Sequence, residues 1–337
     1  MYATPSPSVL IVGGSGIVGS QAAAALRRLQ PELPITIGGR TLAKAEAIAE
    51  QLGNADATVV DLNRADLGQS ADAAYSAVAM FLKDDGLNSL RFAQQQRIPY
   101  LGISSAAFEI GPEVSHFIHR PTDSAILMLS NWLAGTATLG TLYFARDFEH
   151  IDTISVAALL DEQDLGGPSA HADYVRQTQA APRPLILKGG QWTWAGDEEA
   201  TRVFSSVDGT AVHGQALANL DPLSLANATG AQSVRFDFAL GETASRRRGE
   251  PFSTEIVIEI GGRLREGDNA QARYEIVHPA GQAPMTAVGV AVGIECLLGL
   301  NGGSAVPAGL YLPEVLISPD YMVEKLRQSG AVLRRAQ

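Results

Sequence analysis

The first 130 residues alternate between short apolar runs and longer stretches of amphipathic or alanine-rich sequence. The apolar runs have the length of buried strands, and the longer stretches have the length and periodicity of helices. This alternation predicts successive βαβ units, and therefore a parallel, doubly wound sheet with right-handed crossovers. The predicted strands cover residues 8–12, 35–38, 57–61, 74–80, 99–104 and 125–129, and the predicted helices cover residues 20–30, 41–52 and 86–97.

The pattern changes after Trp132. A helix of small residues is predicted for residues 134–145 and a long strand for residues 151–160, and residues 286–300 and 319–329 close the chain. Between these segments, three stretches alternate apolar with charged residues, as half-solvated antiparallel strands do. These stretches are residues 234–240, 256–260 and 272–276. The opposite faces, expected to be solvated, carry Arg235, Asp237, Glu255, Glu259, Arg273 and Glu275. The predicted fold class is therefore α/β, with a doubly wound parallel sheet followed by an α+β domain that has a mixed or antiparallel sheet.

A glycine turn joins the first predicted strand to the first predicted helix. It reads Gly14-x-Gly16-x-x-Gly19, and this strand–turn–helix context is the one in which the motif binds a dinucleotide in a Rossmann fold. The backbone near the second glycine approaches the pyrophosphate, which also contacts the unpaired N–H groups at the helix N-terminus. A glycine-rich turn that binds no ligand is the alternative. The residues expected to contact the cofactor here are Gly14, Ser15, Gly16, Ile17, Val18 and Gly19.

The end of the second strand indicates which dinucleotide is bound. An NAD-selective site usually carries an acidic residue about 20 residues beyond the fingerprint, and here that position is Gly39. Arg40 and Thr41 follow, and Lys44 comes one helical turn later. A guanidinium, a hydroxyl and an ammonium suit a 2′-phosphate, so NADP is the predicted cofactor. The alternative is a helix N-terminus with ordinary surface cations, although cations there oppose the helix dipole.

The carboxyl ends of further strands are expected to complete the cofactor site. Ligands of doubly wound sheets bind at these ends, near the point where the strand order reverses. The third, fourth and fifth predicted strands therefore contribute residues that lie at or just beyond their ends. The expected contacts are Asp61, Leu62, Ala79, Met80, Phe81 and Ser104.

Composition and charge narrow the class of protein. A chain of 337 residues is long enough for two domains. The formal net charge is −11 and the longest basic run is Arg246 to Arg248, so nucleic acid and anionic membranes are not expected partners. The N-terminal residues have no signal-peptide pattern, and the apolar run 287–300 is interrupted by Glu295. With Cys296 as the single cysteine, intrachain disulfides are excluded, and a soluble cytoplasmic protein is expected.

Segments at both ends of the chain resemble the saccharopine-dehydrogenase-like family of NADP-dependent reductases. The matching segments are residues 9–19, 38–53, 98–104, 285–299 and 306–330. The resemblance implies that the closing segment returns to the cofactor domain, that a mixed sheet is inserted between, and that the protein forms a homodimer through that sheet. The expected domains are residues 1–130 plus about 300–337 for NADP, and residues 131–299 for substrate and dimerisation.

The candidate chemistry outside the cofactor concerns one proton and the placement of the substrate, because hydride transfer belongs to the nicotinamide. Titratable groups collect in residues 161–174, where His171 and Tyr174 are the candidate proton donors. Stabilisation of a loop and helix end is their alternative role. Asn131 and Trp132, in the turn after the sixth strand, are the expected substrate-binding residues.

The resemblance makes an NADPH-dependent oxidoreductase of a small molecule the predicted function, with reduction of an imine (C=N) or action on a C–N bond as the reaction. An enoyl or carbonyl reductase is the alternative enzyme, and a non-catalytic NADP-sensing regulator is the alternative outside catalysis. The polar cluster at residues 161–174 favours an enzyme. His116 and His119 have no acidic or cysteine partners nearby in sequence, so no metal site is expected.

Overall fold

In a computed structural model the chain divides into two compact units. The structure describes residues 7–164, 166–180 and 183–336, without the side chain at position 180. Unit 1 comprises Met1–Ser105, Glu109–Leu129 and Ala287–Leu316, and unit 2 comprises Ala106–Phe108, Ser130–Thr286 and Ile317–Gln337. Among the described residues, no helix combines the length and the apolar character needed to cross a bilayer.

The strands and helices follow the predicted alternation and then the predicted change of pattern. The strands are β1 (Ser8–Val12), β2 (Ile35–Gly39), β3 (Ala55–Val59), β4 (Tyr75–Met80), β5 (Tyr100–Gly102), β6 (Ala125–Met128), β7 (Phe148–Asp161), β8 (Leu185–Lys188), β9 (Gln191–Trp194), β10 (Thr201–Ser205), β11 (Ala211–Ala216), β12 (Ser233–Gly241), β13 (Thr254–Leu264), β14 (Asn269–His278), β15 (Gly309–Tyr311) and β16 (Val332–Arg335). The helices are α1 (Ile17–Leu29), α2 (Leu42–Leu52), α3 (Asn88–Gln95), α4 (Gly111–His119), α5 (Thr136–Ala145), α6 (Pro168–Val175) with a π-helical turn at Arg176–Ala180, α7 (Asp221–Thr229), α8 (Ala244–Arg247), α9 (Gln282–Leu297), α10 (Pro313–Leu316) and α11 (Pro319–Gln328).

Unit 1 contains a parallel sheet in the strand order β15-β6-β5-β4-β1-β2-β3. Every residue of β1 and β2 is buried, as expected where helices cover both faces of a parallel sheet. The order reverses between β1 and β4, and this is the point at which doubly wound sheets bind ligands. The predicted Rossmann sheet is therefore confirmed.

Unit 2 contains a mixed sheet in the order β10-β11-β12-β7-β13-β14-β16, with β8 paired to β12 and to β9. Its centre is β7, which pairs in parallel with β12 and antiparallel with β13. One helix packs closely on this sheet, because a Cβ on Gly140 of α5 would lie 2.4 Å from Ile276 Cδ1 of β14. This arrangement confirms the predicted α+β character of the second part of the chain.

The charged face of the three alternating strands was predicted to be solvated, but in the structure much of it is buried. Asp237 and Glu255 are 0% exposed and Glu275 is 3% exposed. Arginines compensate two of these buried carboxylates: the Arg202 guanidinium donates to Asp237 at 2.8 Å, and Arg273 donates to Glu275 at 3.1 Å. Buried charges persist in proteins where such partners are present.

Apolar residues of β10 and of the loop after it cover this face. Phe204 and Val207 pack against Leu159 and Val257 of the central strands. Glu255 accepts hydrogen bonds from the backbone N–H groups of Ala244 and Val207. The sheet therefore has a second small core where the period-two pattern indicated solvent, because segments distant in sequence fold over it.

The closing segment also differs from the expected domain boundaries. Residues Ala287–Leu316 belong to unit 1, and residues Ile317–Gln337 belong to unit 2. Residues 300–316 thus lie in unit 1 and residues 317–337 in unit 2, whereas the sequence analysis expected residues 300–337 in the cofactor domain. The reason is that β16 pairs antiparallel with β14 and Arg146, at the end of α5, forms a 2.6 Å ion pair with Asp320 of α11.

Candidate functional site

The glycine turn between β1 and α1 is shaped by close backbone contacts. A Cβ on Gly19 would lie 2.3 Å from the carbonyl oxygen of Gly13 and 2.8 Å from Cα of Gly14. A Cβ on Gly14 would lie 2.8 Å from the carbonyl oxygen of Ile11. Gly19 is therefore confined to glycine by the packing of the helix on the turn, and Gly14 by its contact with β1, both independently of any ligand.

Gly16 is glycine for a different reason. It is exposed, and a Cβ there would meet only the carbonyl oxygen of Gly13, at 3.2 Å. Its φ of −82° and ψ of 171° are open to any residue. No side chain caps α1, and the first turn of α1 contains no acidic residue. The exposed backbone at Gly16 and the uncapped N–H groups of α1 form a surface that fits a pyrophosphate.

The end of β2 lies beside the glycine turn. A Cβ on Gly39 would lie 2.9 Å from Ser15 Oγ, so a larger residue here requires the serine to move. Arg40, Thr41 and Lys44 are exposed, and the first turn of α2 contains no acidic residue. Over the described residues, no carboxylate lies within ion-pair distance of Arg40 or Lys44. Two cations are thus available to an anion at the start of α2.

The other expected cofactor contacts lie at or near the ends of β3, β4 and β5. Ala79 and Met80 are core residues, with 0% and 1% exposure, whereas Asp61 is exposed. The Phe81 backbone N–H donates to the Val12 carbonyl at 3.1 Å, and this bond holds the end of β4 beside the glycine turn. Leu62 is half-buried, and Ser104 is buried beyond the end of β5. These contacts remain predictions.

Sequence reasoning missed a group of charged side chains that follows β4 and β5. We name Lys83, Asp84, Glu109 and Glu113 the acid cluster. Lys83 Nζ lies 3.9 Å from Glu109 Oε1, and both side chains are largely buried. Asp84 accepts hydrogen bonds from the N–H and the hydroxyl of Ser89, at 2.7 and 2.6 Å, at the start of α3. The Lys83-Asp84-Asp85 triplet directly after a buried strand is the sequence signal that could have indicated this cluster.

Within the acid cluster, the environment of Glu113 alters the acidity of its carboxyl. Burial raises the pKa of its carboxyl above the ordinary value. The Ser105 hydroxyl donates to Glu113 Oε1 at 2.5 Å, and this bond and the charge of Lys83 offset only part of the effect. Glu109 and Asp84 add to the rise because their negative charges oppose ionisation. The result is a carboxyl that retains its proton to a higher pH than an exposed glutamate does.

In unit 2, the structure brings two of the expected site residues to one aromatic group. The Trp132 ring packs on Phe236 and Phe238, with centroids 5.5 and 5.3 Å apart. The Tyr174 ring packs on Phe238 as well, with the two ring centroids 5.6 Å apart. His171 lies on α6 with an exposed side chain, so these contacts do not hold it in place. Tyr174 and Trp132 thus share one apolar wall.

Asn131 and Trp132 carry buried polar atoms without partners. The Asn131 amide donates to Thr138 Oγ1 at 2.9 Å and to Ser224 Oγ at 3.0 Å, while the Trp132 backbone N–H donates to Asp221 at 2.6 Å. Within the described residues, Asn131 Oδ1 and Trp132 Nε1 have no hydrogen-bond partner although both are buried. Unpaired buried polar atoms are uncommon in folded proteins, and the substrate-binding role expected of Asn131 and Trp132 remains a prediction.

The 161–174 segment begins with a carboxylate that has a structural role. Asp161, at the end of β7, is 0% exposed. Burial would raise its pKa, but hydrogen bonds from Gln163, Thr243 and Arg246 outweigh this effect and lower it. Arg246 also approaches Glu162, so this arginine is engaged within the fold.

Asp164 behaves in the opposite way from Asp161. It accepts a hydrogen bond from the backbone N–H of Gln282 at 2.7 Å. Burial, together with the charge of Asp161, raises the pKa of Asp164 to about 6. Its carboxyl therefore changes protonation close to neutral pH.

Comparison with known proteins identifies the fold. No protein-family model and no curated protein sequence matches the chain. Apo saccharopine dehydrogenase (L-Glu forming) from Saccharomyces cerevisiae superposes with a TM-score of 0.65 at 12% identity, covering 98% of this chain and 100% of that one. Homospermidine synthase from Legionella pneumophila, solved in complex with NAD, gives a TM-score of 0.62 at 13% identity, covering 98% and 92%. The chain therefore has the fold of saccharopine dehydrogenase, as the resemblance in its sequence predicted.

Proposed function

We propose that the protein is an NADP(H)-dependent oxidoreductase. The observation that carries this proposal is the exposed, uncapped glycine turn at the switch point of a Rossmann sheet. A pyrophosphate can approach the exposed backbone at Gly16, whereas Gly19 is packed against the backbone of Gly13 and Gly14. Proteins of similar structure support a nicotinamide dinucleotide, since the Legionella homospermidine synthase contains NAD.

The preference for NADP rests on the end of β2. Arg40 and Lys44 can contact a 2′-phosphate, and the Thr41 hydroxyl can donate to it. The Gly39 position, packed against Ser15, carries no carboxylate that would repel the phosphate. The homospermidine synthase structure contains NAD, so the support for NADP comes only from Arg40, Thr41 and Lys44 of this chain.

We assign the handling of the substrate proton to the acid cluster or to Tyr174 and His171. When bound, the nicotinamide supplies or accepts the hydride. Glu113, whose pKa is raised by burial, keeps its proton to a higher pH than an exposed glutamate and lies after the end of β5, on the side of the sheet where such ligands bind. Lys83 and Glu109 of the same cluster form an ion pair. Within unit 2, Trp132 and Tyr174 both pack on Phe238, and Asn131 and Trp132 stay the proposed substrate-binding residues.

The proposed substrate is an imine formed from an amine and a carbonyl compound, or the C–N bond that its reduction yields. The names of the two similar structures, a saccharopine dehydrogenase and a homospermidine synthase, support this choice. The test is an NADPH-oxidation assay in which the loss of reduced-nicotinamide absorbance is monitored. The substrates offered are amine–carbonyl pairs, cyclic imines, carbonyl compounds and enoyl compounds. Turnover that requires the amine supports imine reduction, and turnover with a carbonyl or enoyl compound alone supports the alternative reductase. NADPH binding without oxidation in any arm would contradict an enzyme.

A further inference from the structure

A cavity of about 250 Å³ in unit 1 is lined by side chains that donate hydrogen bonds. Arg91 and Gln95 come from α3, where residues four apart share a face. His116 belongs to α4, and Arg120 follows the end of that helix. Among the residues that the structure describes, the lining consists of two guanidinium groups, an amide and an imidazole, without a carboxylate.

These side chains have few partners within the protein. His116 Nε2 is buried and has no hydrogen-bond partner among the described residues. Arg120 lies 3.8 Å from Asp123, which is longer than a hydrogen bond. In the part of the chain that the structure describes, Arg91 has no carboxylate within ion-pair distance. Arg91, Gln95 and Arg120 are exposed, so their polar groups are open to a ligand from solvent. A buried ring nitrogen without a partner, as at His116, is uncommon in folded proteins.

We propose that this cavity binds a phosphate dianion, either free or as the phosphoryl group of a small ester. Two guanidinium groups can bind phosphate oxygens in a bidentate manner, and Gln95 and His116 supply further donors. The protein as a whole carries a net charge of −11. General attraction of anions therefore does not account for binding at this position, and the local arginines must provide it.

The imidazole makes binding depend on pH. Burial lowers the pKa of His116, the positive charges of Arg91, Arg120 and His119 lower it further, and Asp123 opposes them. A bound anion compensates the arginine charges and so favours the protonated ring. Binding therefore takes up a proton, and affinity should fall as the pH rises through the range in which the bound form of His116 titrates.

The cavity is distinct from the proposed dinucleotide site. It is formed by α3 and α4 and uses neither the glycine turn nor Arg40. Phosphate should therefore bind to the protein in the presence of saturating NADPH.

The test is isothermal titration calorimetry of inorganic phosphate, glycerol 3-phosphate and sulfate, with and without NADPH. Arg91→Gln and Arg120→Gln should each weaken phosphate binding at least about tenfold, and Arg28→Gln, an exposed arginine on α1, should not. Tighter binding of glycerol 3-phosphate would identify an ester as the ligand, and equal or weaker binding would identify free phosphate. Sulfate, whose charge is constant, should bind more weakly at pH 7.5 than at pH 5.5 in the wild type, and His116→Asn should abolish this difference.

Several results would overturn the proposal. Binding that is unchanged in both arginine variants places the anion elsewhere. Phosphate that binds only in the absence of NADPH occupies the dinucleotide site. Absence of binding at millimolar concentration refutes a phosphate site. NADPH affinity is measured on the same samples, so failure of the phosphate site and failure of the proposed cofactor are distinguished.

Discussion

A valine at Gly16 and a valine at Gly19 should have different effects, although the two glycines belong to one motif. At Gly19 the added Cβ would lie 2.3 Å from the carbonyl oxygen of Gly13 and 2.8 Å from Cα of Gly14, and neither backbone atom can move without displacing α1. Overpacking of this kind costs about 1–3 kcal/mol. For a unit of this size, we expect the melting temperature of Gly19→Val to fall by about 2–12 °C. At Gly16 the one contact of 3.2 Å lies at the surface, so the fold should tolerate valine.

The assay combines thermal unfolding with calorimetric titration of NADPH. Gly16→Val should melt within about 2 °C of the wild type and lose NADPH binding, because the side chain occupies the backbone surface that the pyrophosphate approaches. Gly19→Val should lose both stability and binding. Gly111→Val is the matched control, since a Cβ at Gly111 meets nothing within 4 Å. Normal NADPH binding by Gly16→Val, or an unchanged melting temperature for Gly19→Val, would refute this interpretation of the turn.

Three further predictions concern titratable groups. The pKa of Asp164 is about 6 in the folded protein and 3.8 in the reference state, so the folded state binds more protons between these values and loses stability as the pH rises through this window. Asp164→Asn should therefore raise the melting temperature at pH 7.5 but not at pH 3.5, and an equal shift at both would contradict the assignment. If Glu113 donates the substrate proton, Glu113→Gln should lower kcat about 10²–10⁴-fold with NADPH affinity unchanged. Ser105→Ala should move the corresponding limb of the pH–rate profile to higher pH, because it removes a hydrogen bond that lowers the pKa of Glu113. A limb that stays at the same pH would exclude Glu113 as the proton donor. Should His171→Ala and Tyr174→Phe both keep the wild-type kcat, KM and pH profile, neither residue takes part in catalysis.

The doubly wound sheet was predictable because its central strands β1 and β2 are buried on both faces. Ser8–Val12 and Ile35–Gly39 are buried throughout, so their continuous apolar pattern survives in the sequence. The glycine turn was predictable because its constraints are local: Gly19 contacts residues only five and six positions away.

The features that sequence reasoning missed depend on segments that are distant along the chain. Glu255 appeared to be solvated because its partners, the N–H groups of Val207 and Ala244, are not visible in a period-two pattern. The pairing of β16 with β14 brings the chain end to unit 2, and the four-residue strand gives little signal. His116 was considered only as a metal ligand because the arginines that approach it are four residues ahead and 25 residues behind.

Arg40, Thr41 and Lys44 should select NADPH over NADH. The dissociation constants of NADPH and NADH for the wild type and Arg40→Gln test this selection most directly. Charge-assisted hydrogen bonds are worth about 1.5–3 kcal/mol each, or about tenfold to a hundredfold in affinity. We predict that the wild type binds NADPH more tightly than NADH, and that Arg40→Gln loses about this factor for NADPH while binding NADH as before. Equal losses for both dinucleotides, or a wild type that prefers NADH, would contradict the account.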